Sequence, residues 1–101
     1  MSNIYDMIYD IAEHIVLELR KYDFEWYDFK QINFSSPILK IWICIHDDRI
    51  ILEWNSILTF NHIHDEFLLA DPNCIENTIN KATQLVEKYH GLKYKTISVQ
   101  G

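Results

Sequence analysis

From Leu39 to Ser56 apolar and polar residues alternate on either side of Asp47 and Asp48, a pattern that predicts a β-hairpin closed by a two-residue turn. Ile45 then opposes Ile50, Ile43 opposes Leu52, Ile41 opposes Trp54 and Leu39 opposes Ser56, which makes one face almost wholly apolar. The other face pairs His46 with Arg49, Cys44 with Ile51, Trp42 with Glu53 and Lys40 with Asn55, a mixture that is neither clean core nor clean surface. The turn calls for positive φ, which Asp tolerates better than most residues.

A different period governs the two ends of the chain. Ile4, Ile8, Ile11, Ile15, Leu19 and Tyr22 step by three or four residues and predict an amphipathic helix over 3–22, with Ser2 or Asn3 as N-cap and Asp6 in the first turn. Ile75, Ile79, Ala82, Val86 and Tyr89 repeat the pattern after Asp71 and Pro72, which suit the N-cap and first helical position, and Gly91 suits a left-handed terminus.

Between the first helix and the hairpin, Phe24 to Phe34 is aromatic and β-prone but changes parity between Trp26 and Tyr27, predicting a bulge or two short strands. Ser35, Ser36 and Pro37 mark a turn. The hairpin's second strand can run on through Leu58 to Phe60. Asn61 to Asp65 reads as polar loop, Glu66 to Ala70 as a fourth strand, and Leu92 to Val99 alternates enough for an optional final edge strand.

The expected fold is therefore α+β, a two-layer sandwich in which an antiparallel sheet of three to five strands carries the N-terminal and C-terminal helices on one face, in the order α-β-β-β-(β)-α-(β). At 101 residues there is room for a single domain, 1–101. The 49% hydrophobic and 14% aromatic content can offset the entropy of ordering, which argues against disorder. The longest apolar run, Ile41 to Ile45, is far too short to span a bilayer, and Asp6 and Asp10 stand where a signal peptide needs positive charge, so the expected compartment is cytoplasmic.

Charge narrows the partners. The net charge is −6, and it is concentrated at the N-terminal end, where Asp6, Asp10, Glu13, Glu18, Asp23, Glu25 and Asp28 face only Arg20 and Lys21. Such a chain is repelled by phosphate backbones, so direct nucleic-acid binding is not expected. Asp6, Asp10 and Glu13 fall on one ridge of the helix, and Asp23, Glu25 and Trp26 follow among aromatic residues. Carboxylates interleaved with exposed rings suit a basic protein surface, the charge steering approach and the rings anchoring contact.

Other candidate chemistry is thin. His62, His64 and Asp65, with His46 approaching in space, have residue types that bind a divalent metal or position a general base. Cys74 near a helix start can have an activated thiol, although packing is the commoner role; Cys44 is weaker still. No phosphate-cradling loop or nucleophile motif is present, and the expectation is no metal, no cofactor and no catalysis. The preferred reading is a small acidic binding protein acting by protein–protein contact, such as an inhibitor, immunity protein or phage or mobile-element accessory protein. Its contact residues are Asp6, Asp10, Glu13, Asp23, Glu25, Trp26 and Trp42. The alternatives are a small metal- or His-dependent enzyme and a structural homodimer joined through the Trp42 face.

Overall fold

In the computed structural model the hairpin closes in the expected register. Strands β3 (Leu39–Ile45) and β4 (Arg49–Ser56) pair antiparallel from Leu39 opposite Ser56 to Ile45 opposite Ile50. The structure describes residues 4–28 and 30–100, with side chains described for 5–28, 30–59 and 62–90. The proposed N-cap at Ser2 or Asn3 lies outside the described residues.

The chain runs α1 (Ile4–Leu19), a 3-10 turn (Arg20–Tyr22), β1 (Glu25–Asp28), β2 (Gln31–Ser35), β3, β4, β5 (Thr59–Leu68) and α2 (Cys74–Gln100). The five strands form one antiparallel meander in sequence order, with β1 and β5 at the edges. The aromatic segment thus resolves into two short strands, with an irregular register between Trp26 and Asp28.

Both helices pack on the same face of the sheet, α1 over β2 and β3, α2 over β3, β4 and β5. Ile41, Ile43, Ile45, Ile50 and Leu52 from the hairpin are sealed against Ile8, Ala12, Ile15, Val16 and Leu19 of α1 and Ala82, Leu85 and Val86 of α2. Period two in the sheet and period 3.6 in the helices therefore meet in one core, which is the two-layer α+β architecture expected. Phe24 and Phe34 are buried with their rings 5.1 Å apart. At the far end of α2, His90 Nε2 lies 2.9 Å from Ser36 Oγ and ties the helix to the β2–β3 turn.

Several local expectations are corrected. Among the described residues the only non-glycine residue with positive φ is Asp23, so the hairpin turn does not use the left-handed region. It is held instead by His46 N–H donating to Arg49 O (2.8 Å), by Leu69 N–H donating to Asp48 O (3.0 Å) and by Arg49 clasping Asp48. The polar segment Asn61 to Asp65 is strand, and the second hairpin strand does not run on to Phe60. Ser56 N–H bonds Thr59 Oγ1 (2.9 Å) and Leu58 N–H bonds Ser56 Oγ (3.2 Å), closing a turn at Ile57 and Leu58 that starts β5 early.

Helix α2 is rotated from its expected stripe. Cys74, Thr78, Ala82, Leu85 and Val86 are buried, whereas Ile75, Ile79 and Tyr89 lie on the shoulder. Small side chains at Cys74, Thr78 and Ala82 let the helix approach the sheet closely, and the Thr78 hydroxyl is satisfied by Cys74 O at 2.8 Å. Asp71 holds the turn before the helix, accepting the Asn73 N–H at 2.9 Å. The helix does not stop at Gly91 and no final strand forms. Extending an existing helical ladder orders one residue per hydrogen bond, while a strand needs a new turn and an edge to pair with. No helix of the described residues is long and apolar enough to cross a membrane.

Candidate functional site

On α1 the buried stripe leaves Asp6, Asp10 and Glu13 exposed on one flank, with Tyr9 between them and the sheet. Helical spacing sets Tyr9, Glu13, Val16 and Arg20 in a line along the side that faces β1. Trp26 points to the same side, because its strand partner is the buried Ile32. Its ring meets Tyr9 with centroids 5.0 Å apart and planes tilted by 40°.

Below this contact Val16, Arg20, Asp23, Phe24, Glu25 and Trp26 line an open depression of about 370 Å³. Asp23 reaches its rim through a left-handed backbone (φ 68°, ψ 28°), which lets its N–H donate to Arg20 O at 3.0 Å and ends the 3-10 turn. Trp26 Nε1 is buried and has no acceptor among the described residues. Five of the seven residues singled out in the sequence, Asp6, Asp10, Glu13, Asp23 and Trp26, are thus drawn to one side of the molecule, where α1 meets the β1 edge, whereas Glu25, paired with Asn33 in the row of Trp42, takes the uncovered face of the sheet. Tyr9, 45% exposed, joins the group where α1 meets β1. Tyr9 carries a signal that could have been read, a tyrosine four residues before Glu13 on the ridge side. Its contact with Trp26 bridges two elements and has no sequence signature.

Trp42 is elsewhere. It lies on the opposite face of the sheet, which no helix covers, and stacks on His62 with centroids 5.1 Å apart and planes 10° from parallel. Around it the charges are paired, both across β4 and β5 and along the chain. His62 Nδ1 is 3.5 Å from Glu53 Oε2, His64 Nε2 is 3.4 Å from Glu66 Oε2, and Arg49 bridges Asp48 and Glu66. Arg49 holds the Asp48 and Glu66 carboxyls below their ordinary values, chiefly through its hydrogen bonds.

The histidine set is not assembled. His62 and His64 share the uncovered face, but Asp65 turns to the helix side and sits 3.8 Å from Lys81, while His46 is at the far turn beside Arg49. Among the described residues no group of three or more His, Cys, Asp and Glu side chains is arranged to hold a metal ion. Burial pushes both thiols above their ordinary value. At Cys44 nearby Glu53 and Asp28 add to the effect, and at Cys74 burial outweighs the local backbone N–H groups. Cys74 is buried in the core cluster under the first turn of α2.

Comparison of the chain with family models, curated proteins and solved structures finds no match. Function is read from this geometry.

Proposed function

We propose that the protein is a non-catalytic binding domain that covers a basic surface of another protein with the acidic and aromatic side formed by α1 and β1. The observation that carries this reading is the Tyr9–Trp26 contact, which sets the Asp6, Asp10 and Glu13 ridge beside the Asp23 rim. Four carboxylates against Arg20 steer a cationic surface inward, and the rings supply apolar area that pays little entropy on contact. Inhibitors, immunity proteins and phage or mobile-element accessory proteins that mask nucleic-acid-binding surfaces work through contacts of this kind.

The test is affinity capture from host lysate with the wild-type chain, with Asp6→Lys, Asp10→Lys and Glu13→Lys combined, and with Asp23→Asn. Capture of a basic protein that weakens with salt and falls about tenfold or more in both variants supports the reading. Equal capture by all three chains would remove this surface from consideration.

A second reading attaches to the uncovered sheet face, where Trp42, Cys44 and Ile51 remain partly exposed with no helix over them. Here a second copy of the chain is the partner. A solution mass of twice 12.2 kDa that reverts to one chain in Trp42→Glu supports it; a single-chain mass for wild type sets it aside.

A further inference from the structure

The rotation of α2 that buries Cys74 and Thr78 leaves Ile75 and Ile79 on its shoulder, facing α1 across a groove of about 470 Å³. His14 and Glu18 of α1 form one wall, and Pro72, Ile75, Glu76, Ile79 and Asn80 form the other wall and the floor. Ile75 and Ile79 are one helical turn apart, an apolar strip about 6 Å long at a rise of about 1.5 Å per residue, and Pro72 continues it in the turn before the helix. Its two walls each contribute a carboxylate, Glu18 from α1 and Glu76 from α2. Neither has an ion-pair partner among the described residues, and Lys81, the next cation along α2, is turned away to Asp65.

We infer that this groove seats one to two turns of an amphipathic basic helix from a protein partner. An apolar strip of this length matches one face of such a helix, with anchors at i and i+3 or i+4. Carboxylates on both walls select cations on both flanks of the anchors, and an acidic segment is rejected by the same pair. The site is separate from the acidic and aromatic side. Glu13 and Glu18 point to different flanks of α1, one to β1 and the other to α2.

The probe is a synthetic peptide of leucine and lysine with leucines on one helical face, titrated into the full-length chain while backbone amide NMR signals are followed. Saturable shifts are expected at His14, Glu18, Ile75, Glu76, Ile79 and Asn80, together with a gain of peptide helicity. The double variant Glu18→Lys and Glu76→Lys changes exposed side chains only and should weaken binding about tenfold. A peptide of the same composition with leucines spread around the helix should not saturate these signals. Absence of saturable shifts, equal affinity in the double variant, equal binding of the scrambled peptide, or shifts confined to Asp6, Asp10 and Glu13 would each overturn the inference. None of these results depends on the α1–β1 surface being a site, since that surface is read by different signals.

Discussion

Tyr9 of α1 and Trp26 of β1 meet with ring centroids 5.0 Å apart, and this contact joins the helical layer to the edge of the sheet. Ring pairs in such tilted arrangements contribute about 0.5 to 1.5 kcal/mol beyond the area they bury. A double-mutant cycle of Tyr9→Leu and Trp26→Leu, followed by urea denaturation, is expected to return a coupling in that range. A coupling of zero would mean that the two elements are held in place by the buried core alone.

Asp23 separates stability from recognition. Its left-handed backbone costs a non-glycine residue about 1 kcal/mol, which glycine avoids, while its carboxylate stands on the rim of the depression. Asp23→Gly should therefore leave thermal stability unchanged or raised, yet weaken capture of a basic partner. Asp23→Asn, which keeps the conformation better and removes the charge, should weaken capture in the same way. Lower stability in Asp23→Gly would show that the side chain makes a folding contact.

The acid limb of stability should depend on Arg49. It lowers the Asp48 and Glu66 carboxyls in the folded state, so the unfolded chain takes up protons first as pH falls. The stabilisation is present above the ordinary carboxyl range, near pH 4, and is lost as pH drops through the lower folded values. Denaturation of Arg49→Gln should show a deficit at neutral pH that shrinks below about pH 4. All three side chains are exposed, so salt should reduce the effect. A deficit independent of pH would point to lost packing instead.

The two thiols should differ in access and share low reactivity. Cys44 is half-buried on the uncovered face, near Glu53 and Asp28, and its thiol is raised first by burial and then by those carboxylates. Native-state alkylation should be slow at neutral pH and faster in Glu53→Gln. Cys74 is buried under the first turn of α2 and should react only when the chain unfolds. Fast labelling of Cys74 in the native state would contradict the packing described for that turn.

Much of the fold was legible because two periods meet cleanly. The pairing from Leu39 opposite Ser56 to Ile45 opposite Ile50 follows from alternation around Asp47 and Asp48, and burying one face leaves the register no freedom to slip. The α2 stripe was less legible. Apolarity favours Ile75 and Ile79 inside, but close approach of the helix to the sheet favours the smaller Cys74 and Thr78. The strand through His62 and His64 was hidden because its polar side chains sit on an uncovered edge, where nothing requires alternation to be apolar. The acidic ridge could be placed from helical spacing alone. That it meets Trp26 and not Trp42 depends on which face each strand residue takes, and the irregular register in β1 obscures that choice.

The most direct measurement is hydrogen–deuterium exchange on the wild-type chain alone and in complex with its captured basic partner, at equal salt. Slowed exchange is expected in peptides covering residues 5–13 and 23–28, where the ridge, the Tyr9–Trp26 contact and the Asp23 rim lie. Protection confined to β3, β4 and β5, with the α1 and β1 peptides unchanged, would contradict the assignment and place recognition on the Trp42 face instead.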